Sequence, residues 1–399
     1  MEHHFAVAAL WLGLAVLSAV IAYHARISIA LVEIMVGVAA AAAASRYGGP
    51  EELGANLEWL RFLAASGAVL LTFLAGAELE ADVIRRKLTE VSIVGLFGFL
   101  APFIGCALVA RFLLGWGVRE SLLAGVALST TSMAVVYAVM LETGLNRTDY
   151  GKGVLGACFV NDLGTVIALG LIFAPFTWKT AALTLGILVA MLVLPVVSKG
   201  LRGVYAYRTA AIRTKWIAFV LFGLGALALW AGSEAVLPAY LAGMALAEFS
   251  AEDIHWLRRL RTLTVGFLTP FYFIRAGTLV ALPALIGAPV VFIALLLGKT
   301  VSKIFGLYPV IARFRSRRDE RWYYTLLMST GLTFGTISAL YGYSHGIITQ
   351  AQYSYLVAAV IASAVIPTLI ANAAFLPRHL MPAPAPAAIE EEQEEVGEE

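Results

Sequence analysis

Residues 153–173 read GVLGACFVNDLGTVIALGLIF, an apolar stretch with a single charged side chain, Asp162, close to its middle. A helix of about 20 residues spans the roughly 30 Å hydrocarbon core of a bilayer. A charged side chain at that depth costs at least about 2.5 kcal/mol, so it needs a partner, a water-filled cavity or a function. The stretch therefore predicts a transmembrane helix with an ionisable group at its centre.

The composition of the whole chain also indicates an integral membrane protein. Of its 399 residues, 60% are hydrophobic and 14% are charged, whereas soluble domains carry roughly 25% charged residues. The N-terminus lacks a basic segment and a clear cleavage site, so the first apolar stretch is expected to be retained. About thirteen spans are predicted, at residues 5–22, 27–45, 59–77, 91–114, 120–141, 152–175, 180–198, 215–232, 235–249, 262–281, 286–308, 323–343 and 353–376.

The loops between these spans alternate in basic content, as the positive-inside rule requires of a correct span count. One set of loops holds only Arg46, Arg119 and Lys179. The other set holds twenty basic residues: Arg26, Arg85, Arg86, Lys87, Arg147, Lys152, Lys199, Arg202, Arg208, Arg213, Lys215, Arg258, Arg259, Arg261, Arg313, Arg315, Arg317, Arg318, Arg321 and Arg378. This predicts a cytoplasmic C-terminus, an external N-terminus and a multi-pass protein of the cell (inner) membrane.

An odd number of spans can be arranged as two inverted six-helix repeats, spans 1–6 and 8–13, joined by span 7. Spans 5 and 12 take equivalent places in this arrangement. Each is interrupted by polar or glycine residues, at 129–132 (STTS) and 329–336 (STGLTFGT). Paired broken helices at matching positions predict an ion site near the bilayer midplane.

Candidate ligands for a monovalent cation surround Asp162. Asn161 adds an amide oxygen, and Thr131 and Ser132 add hydroxyls at the break in span 5. Hard cations prefer such oxygen ligands. A carboxylate away from water is neutralised by a proton or by a cation but not by both, and this exclusion would couple the two ions. The alternative is an aspartate that stays protonated and bonds a neighbouring helix.

Five further charged residues lie within or near the spans. Lys299 in span 11 has two roles open to it: titration during transport, or neutralisation of the carbonyl ends of the broken helices, which we favour. Lys303, one turn nearer the cytoplasm, is expected to extend toward the membrane surface. Glu33, Glu78 and Arg275 are expected to form structural ion pairs or hydrogen bonds. The six histidines lie in loops or termini, as surface modulators of the pH response at most.

The motifs together resemble the monovalent cation/proton antiporter superfamily, specifically the thirteen-helix bacterial sodium/proton and potassium/proton exchangers. The resemblance covers residues 5–376. The break in span 5 and FVND at 159–162 are the most specific parts. The other matching stretches are VEIMVGV at 32–38, LLTFLAGAELE at 70–80, LPAYLAGMALA at 237–247, PFYFIRAG at 270–277 and the pair Gly298, Lys299.

This resemblance implies an all-α fold in which a six-helix core, with crossed and broken spans 5 and 12, moves against a dimerisation domain in an elevator-like cycle. It implies a homodimer in the lipid bilayer, with Asp162 as the ion-binding aspartate. The Asn161–Asp162 pair implies electroneutral exchange of one cation per proton. Two residues depart from the family pattern. Electroneutral members often carry Arg where Lys299 stands, and an arginine at the position of Arg275 in span 10 is unusual for the family.

Residues 1–376 are thus predicted to form the transmembrane antiporter domain, with core and dimerisation subdomains interleaved. Residues 377–399 are rich in Pro, Ala and then Glu, and are predicted to be a disordered acidic cytoplasmic tail. Cys106 and Cys158 lie in apolar stretches without metal-binding spacing and are expected to be small core residues.

The predicted function is sodium/proton antiport, with potassium/proton antiport or sodium-coupled symport of an organic anion on the same fold as alternatives. The sequence does not distinguish sodium, potassium and lithium. An intramembrane aspartyl hydrolase needs two deep carboxylates, and only Asp162 is deep. No His-Glu-x-x-His motif is present. We therefore expect a transporter rather than an enzyme, with no cofactor and no nucleic-acid partner. A channel is disfavoured because one titrating carboxylate at a broken helix suits alternating access.

Overall fold

The computed structural model describes residues 2–25, 29–45, 53–77, 87–173, 177–205, 210–233, 235–247, 249 and 254–381. Every regular element in these ranges is helical. The first half contains α1 (Glu2–Ala25), α2 (Ile29–Ala44), α3 (Glu58–Ala77), α4 (Leu88–Leu108), α5 (Val118–Ser129), α6 (Met133–Thr143) and α7 (Asp149–Phe173). The second half contains α8 (Trp178–Tyr205), α9 (Ala210–Trp230), α10 (Val236–Ala245), α11 (Ile254–Leu263), α12 (Thr269–Thr278), α13 (Leu282–Gly287), α14 (Pro289–Ile311), α15 (Arg318–Met328), α16 (Thr333–Ser344) and α17 (Gln350–Ala374).

Each predicted span corresponds to one of these helices or to a pair of them. Eight helices of the described residues are long and apolar enough to cross a membrane, and α2 and α10 are shorter apolar helices. The remaining three spans are interrupted: α5 with α6, α15 with α16, and α11 with α12 through a π-helical turn at Thr264–Leu268. A second π turn, Val109–Leu113, continues α4. The predicted all-α polytopic fold is confirmed.

The helices pack mainly within two groups. The core helices are α4 to α7 and α14 to α17, in which α4 packs against α5, α7 and α14, and α17 packs against α14 and α16. The scaffold helices are α1 to α3 and α8 to α12, in which α12 packs against α2 and α3, and α10 packs against α3 and α8. The interrupted helices of spans 5 and 12 both belong to the core helices.

Glycines let two pairs of scaffold helices cross with their backbones in contact. Where α2 crosses α12, a Cβ added to Gly37 would overlap the carbonyl oxygen of Ile274, and one added to Gly277 would overlap that of Ile34. Close crossings of this kind are typical of membrane helices, which associate through packing of small residues rather than through a hydrophobic effect.

The crossing of α3 and α10 is built in the same way. A Cβ added to Gly76 would overlap the carbonyl oxygen of Tyr240, and one added to Gly243 would overlap that of Phe73. The first crossing joins spans 2 and 10, and the second joins spans 3 and 9. The predicted repeat makes span 2 equivalent to span 9 and span 3 equivalent to span 10. The two crossings are therefore equivalent to each other, as the predicted inverted repeat requires.

Replacing Gly277 by Val is expected to lower the free energy of unfolding by about 1–3 kcal/mol, because the side chain forces the backbones of α2 and α12 apart. Thermal unfolding of the purified protein in detergent measures this. Gly223→Val is the matched control, since a Cβ at Gly223 meets nothing within 4 Å. Equal unfolding temperatures for the two variants would contradict the crossing as described.

Ion pairs tie the core helices together at one end of the bundle. Arg315 binds Glu90 of α4 at 2.5 Å, and its guanidinium lies 5.1 Å from the ring centroid of Tyr150 on α7. At the start of α15, a hydrogen bond from Arg317 lowers the pKa of the Asp319 carboxyl. The loop between α14 and α15 is thereby fixed against α4 and α7.

The first residues of the predicted acidic tail are ordered. Residues Arg378–Leu380 form a short 3₁₀ helix, in which Nε2 of His379 lies 2.8 Å from Oε1 of Glu320 and Nδ1 lies 3.6 Å from Oδ2 of Asp319. This part of the chain packs against the start of α15. The rest of the predicted tail, residues 382–399, lies outside the described residues.

Candidate ion-binding site

The breaks in spans 5 and 12 lie side by side in the middle of the core helices. Oγ1 of Thr131, between α5 and α6, donates to the carbonyl oxygen of Met328 at the end of α15 at 2.9 Å. The backbone N–H of Ser132 donates to Oγ1 of Thr330 at 3.4 Å. Helix α5 also packs against α16, so the first half of one span contacts the second half of the other. The two spans cross at their breaks.

Each break leaves backbone carbonyls without a helical partner, because the last turn of a helix has no following N–H groups. At the end of α5, two of these carbonyl oxygens accept hydrogen bonds from side chains of other helices. The carbonyl of Ser129 accepts a hydrogen bond from Nδ2 of Asn161 at 3.3 Å. The carbonyl of Thr130 accepts one from Nζ of Lys299 at 3.2 Å. A lysine at this place also matches the negative end of the helix dipole.

Asp162 and Asn161 of α7 bring two buried oxygens into this region. Both side chains are buried, and within the described part of the chain Oδ1 of each has no hydrogen-bond partner. The backbone N–H of Thr131 lies within hydrogen-bonding reach of the Asp162 carboxylate. Buried polar atoms are nearly always paired, so two unpaired oxygens on consecutive residues indicate a group that the folded chain does not itself supply. Oxygen atoms of this kind are the ligands that an alkali cation requires.

Two lysines of α14 point into the same region, and both are fully buried. Besides the contact of Lys299 with Thr130, Nζ of Lys303 donates to Oγ1 of Thr131 at 2.9 Å. The expectation that Lys303 extends to the membrane surface is wrong, because the Thr131 hydroxyl satisfies the ammonium inside the bundle. Part of the signal was present in the sequence, since residues four apart on a helix share a face and Lys303 therefore lies on the same face as Lys299.

Gly331, in the break of span 12, makes room for Lys299. A Cβ at this position would overlap Nζ of Lys299 and approach Oγ1 of Thr130 and Oγ of Ser363. The ammonium therefore lies against the backbone of the second break while it binds the carbonyl of the first. Lys299 joins the two interrupted spans.

The predicted ligands Thr131 and Ser132 differ in how they are used. The Thr131 hydroxyl joins α14 to α15 through its two hydrogen bonds, and its backbone faces Asp162. Oγ of Ser132 accepts a hydrogen bond from the backbone N–H of Val135 at 3.4 Å, which caps the start of α6. The structure thus brings Thr131 to Asp162, and it places the Ser132 side chain at the helix cap.

Of the two contacts predicted for Arg275 and Glu33, an ion pair or a hydrogen bond, Arg275 forms the hydrogen bond: its Nε donates to the carbonyl oxygen of Ala55 at 2.9 Å. Glu33 is buried in α2, and neither of its carboxylate oxygens has a hydrogen-bond partner among the described residues. Glu78 lies outside the described residues.

An aromatic side chain of the scaffold helices closes one side of the site. Tyr240 of α10 is fully buried and donates from its hydroxyl to the carbonyl oxygen of Phe159, one turn before Asp162, at 3.1 Å. Its ring stacks on Phe159 with centroids 5.3 Å apart and meets the edge of Phe334 at 5.8 Å. Sequence reasoning missed this contact, which joins residues 81 positions apart.

The sequence of the chain matches a family model and is similar to several known proteins. The family model "Sodium/hydrogen exchanger, transmembrane" matches residues 11–375. A probable Na(+)/H(+) antiporter 3 of Methanocaldococcus jannaschii is 29% identical over 232 residues, which are 55% of this chain and 58% of that protein. The glutathione-regulated potassium-efflux system protein KefC of Shigella flexneri is 25% identical over 304 residues, which are 71% of this chain and 47% of that protein.

Among solved structures, the sodium proton antiporter MjNhaP1 of Methanocaldococcus jannaschii at pH 8 superposes with a TM-score of 0.67. The match covers 93% of this chain and 97% of that chain at 15% sequence identity. At this identity the likeness shows the shared fold alone. The chain spans only about half of the length of the two curated relatives.

Proposed function

Since the chain belongs to the sodium/hydrogen exchanger family, we propose that it exchanges a monovalent cation for a proton, and that Asp162 binds the two in turn. The observation that carries this proposal is the pair of buried Oδ1 atoms of Asp162 and Asn161, which have no hydrogen-bond partner among the described residues. The family is one of transporters.

Coupling follows from charge and burial at Asp162. An ionised carboxylate away from water is stable only beside a compensating charge. The ammonium groups of Lys299 and Lys303 bind Thr130 and Thr131 rather than the carboxylate itself, so a directly bound alkali cation or proton would supply this charge. A cation bound between Oδ1 of Asp162 and Oδ1 of Asn161 occupies the oxygen that a proton would take. The site therefore holds one ion at a time, and one cation would be exchanged for one proton, which makes the exchange electroneutral.

The cation is proposed to be sodium. The relative from Methanocaldococcus jannaschii is named as a sodium/proton antiporter, and it supports this choice. Potassium is the second candidate because KefC is named as a potassium-efflux protein. The remaining alternative, symport of an organic anion, would require polar anchors for a larger substrate beyond the Asp162 region.

Alternating access requires the site to open to each side of the membrane in turn. We propose that the core helices move relative to the scaffold helices, and that the surface around Tyr240 slides during this movement. One hydrogen bond and two ring contacts from Tyr240 reach the core helices, and such contacts can be exchanged at small cost. The proposed setting is a homodimer in the cell membrane, with the C-terminus in the cytoplasm as the distribution of basic residues predicts.

Purified protein in liposomes that contain a pH-sensitive dye tests the proposal. With an imposed proton gradient, we expect sodium to cause rapid dye recovery and potassium to cause less. Clamping the membrane potential at different values should leave the initial rate unchanged if one cation is exchanged per proton. Protein-free liposomes give the background. A preparation that responds to neither cation would contradict antiport, and organic-anion uptake would then be measured in the same liposomes.

A further inference from the structure

Lys303 brings a second positive charge to the ion site that the proposed exchange does not explain. Its ammonium has no access to solvent and donates to Oγ1 of Thr131 at 2.9 Å. The same hydroxyl donates its own proton to the carbonyl oxygen of Met328 at 2.9 Å. One lone pair of the Thr131 oxygen, a group that a bound cation could use, is therefore already taken by a cation that belongs to the protein.

Thr131 also joins this ammonium to the carboxylate. Its side chain binds Lys303, and its backbone N–H lies within reach of Asp162. The other ionisable groups that face Lys303 are Lys299 on the same helix, Cys158 on α7 and Cys106 on α4. Asp162 is thus the one acidic side chain in this group that balances two lysines. A cation arriving at Asp162 meets the charge of Lys303 at close range.

We propose that the ammonium of Lys303 is a tethered occupant of the cation site, which the transported cation must displace from Thr131. The inference rests on the proposed exchange at Asp162 and adds to it a residue that sets the affinity for the cation. An ammonium and an alkali cation both bind hydroxyl oxygen through its lone pairs, and two positive charges on one oxygen disfavour each other. Like charges a few ångströms apart in a poorly hydrated site also repel each other strongly.

The expected effect of removing Lys303 on cation affinity is opposite to the usual effect of removing a hydrogen-bonding residue. Removing a buried hydrogen-bonding residue from a binding site ordinarily weakens binding, because it leaves its partner unsatisfied. Removing a tethered competitor strengthens binding, because the ligand no longer has to displace it. Loss of the positive charge at position 303 should therefore tighten cation binding, and a change that keeps the charge should not.

The test compares Lys303→Gln with Lys303→Arg in the purified full-length protein. Titration calorimetry measures the Kd for sodium and for potassium, and liposome transport gives KM and kcat. We expect Lys303→Gln to lower Kd and KM for the transported cation at least about tenfold. Lys303→Arg retains the charge and should leave both at or above the values of the unaltered protein. Thr300→Val on the same helix is the matched control, since the Thr300 hydroxyl bonds back to Leu296 within α14 and to no other described residue.

A Kd that is unchanged or weaker in Lys303→Gln would overturn the inference, as would equal tightening in the Gln and Arg variants. If Lys303→Gln does not give monodisperse protein, Lys303→Met keeps the apolar length of the side chain and serves in the same comparison. Asp162→Asn separates the two proposals. Cation binding that survives in Asp162→Asn contradicts the site itself. Binding that is lost there but unchanged in Lys303→Gln leaves the proposed function standing and removes the role of Lys303.

Discussion

Asp162→Asn is expected to reduce cation-dependent proton exchange to the background of protein-free liposomes. Asparagine has the same shape as aspartate, but it can neither take up a proton nor offer a negative charge to a cation. Both halves of the exchange therefore fail together. Dye recovery in liposomes measures the exchange, and calorimetry with sodium measures cation binding independently of transport.

Asp149→Asn is the matched control, because Asp149 begins the same helix and its side chain is exposed. This variant should exchange at the rate of the unaltered protein. Asp162→Asn also leaves Lys299 and Lys303 without their acidic neighbour, and an unbalanced buried charge destabilises a fold. Size-exclusion profiles and unfolding temperatures therefore accompany the assay. Exchange by well-folded Asp162→Asn protein at a rate near that of the control would show that the cation binds elsewhere.

Local sequence signals were enough to predict the spans, the two breaks and the depth of Asp162. Span length follows from apolar composition, and the breaks follow from clusters of Ser, Thr and Gly that interrupt it. The depth of Asp162 needs only its position within one helix. Each of these inferences uses neighbours along the chain, which is why the fold could be predicted without knowledge of how the helices pack.

The missed features depend instead on which distant residues meet. Tyr240 reaches Phe159 across 81 positions, and the partner of the Arg275 hydrogen bond, the carbonyl of Ala55, is 220 positions away. Lys303 was misplaced for a different reason: the spacing from Lys299 fixed its face, but the position of the Thr131 hydroxyl decided whether the ammonium stayed inside. Partner choice of this kind is set by helix packing, which periodicity alone does not determine.

The two lysines of α14 have different surroundings and therefore different proposed roles. Lys303 binds a side-chain hydroxyl that a cation could use, whereas Lys299 binds the carbonyl of Thr130 at the end of α5. A helix end carries the equivalent of about half a negative charge. A fixed positive charge at Lys299 would stabilise that end throughout the transport cycle. This role needs the charge and does not need the proton to leave.

Lys299→Gln is accordingly expected to lose most of the exchange and to lower the free energy of unfolding by about 1–3 kcal/mol, because the end of α5 loses its charged donor. Lys299→Arg keeps a charge that is never lost at physiological pH, and it should retain exchange. Lys179→Gln is the control, since Lys179 lies away from the site, with Nζ 5.1 Å from the ring centroid of Trp230. Transport in liposomes and thermal unfolding in detergent are measured for all three.

If folded Lys299→Arg is as inactive as Lys299→Gln, the proton of Lys299 takes part in the exchange and the fixed-charge role is wrong. If both variants exchange normally, the end of α5 does not require this charge, and the fixed-charge role is wrong.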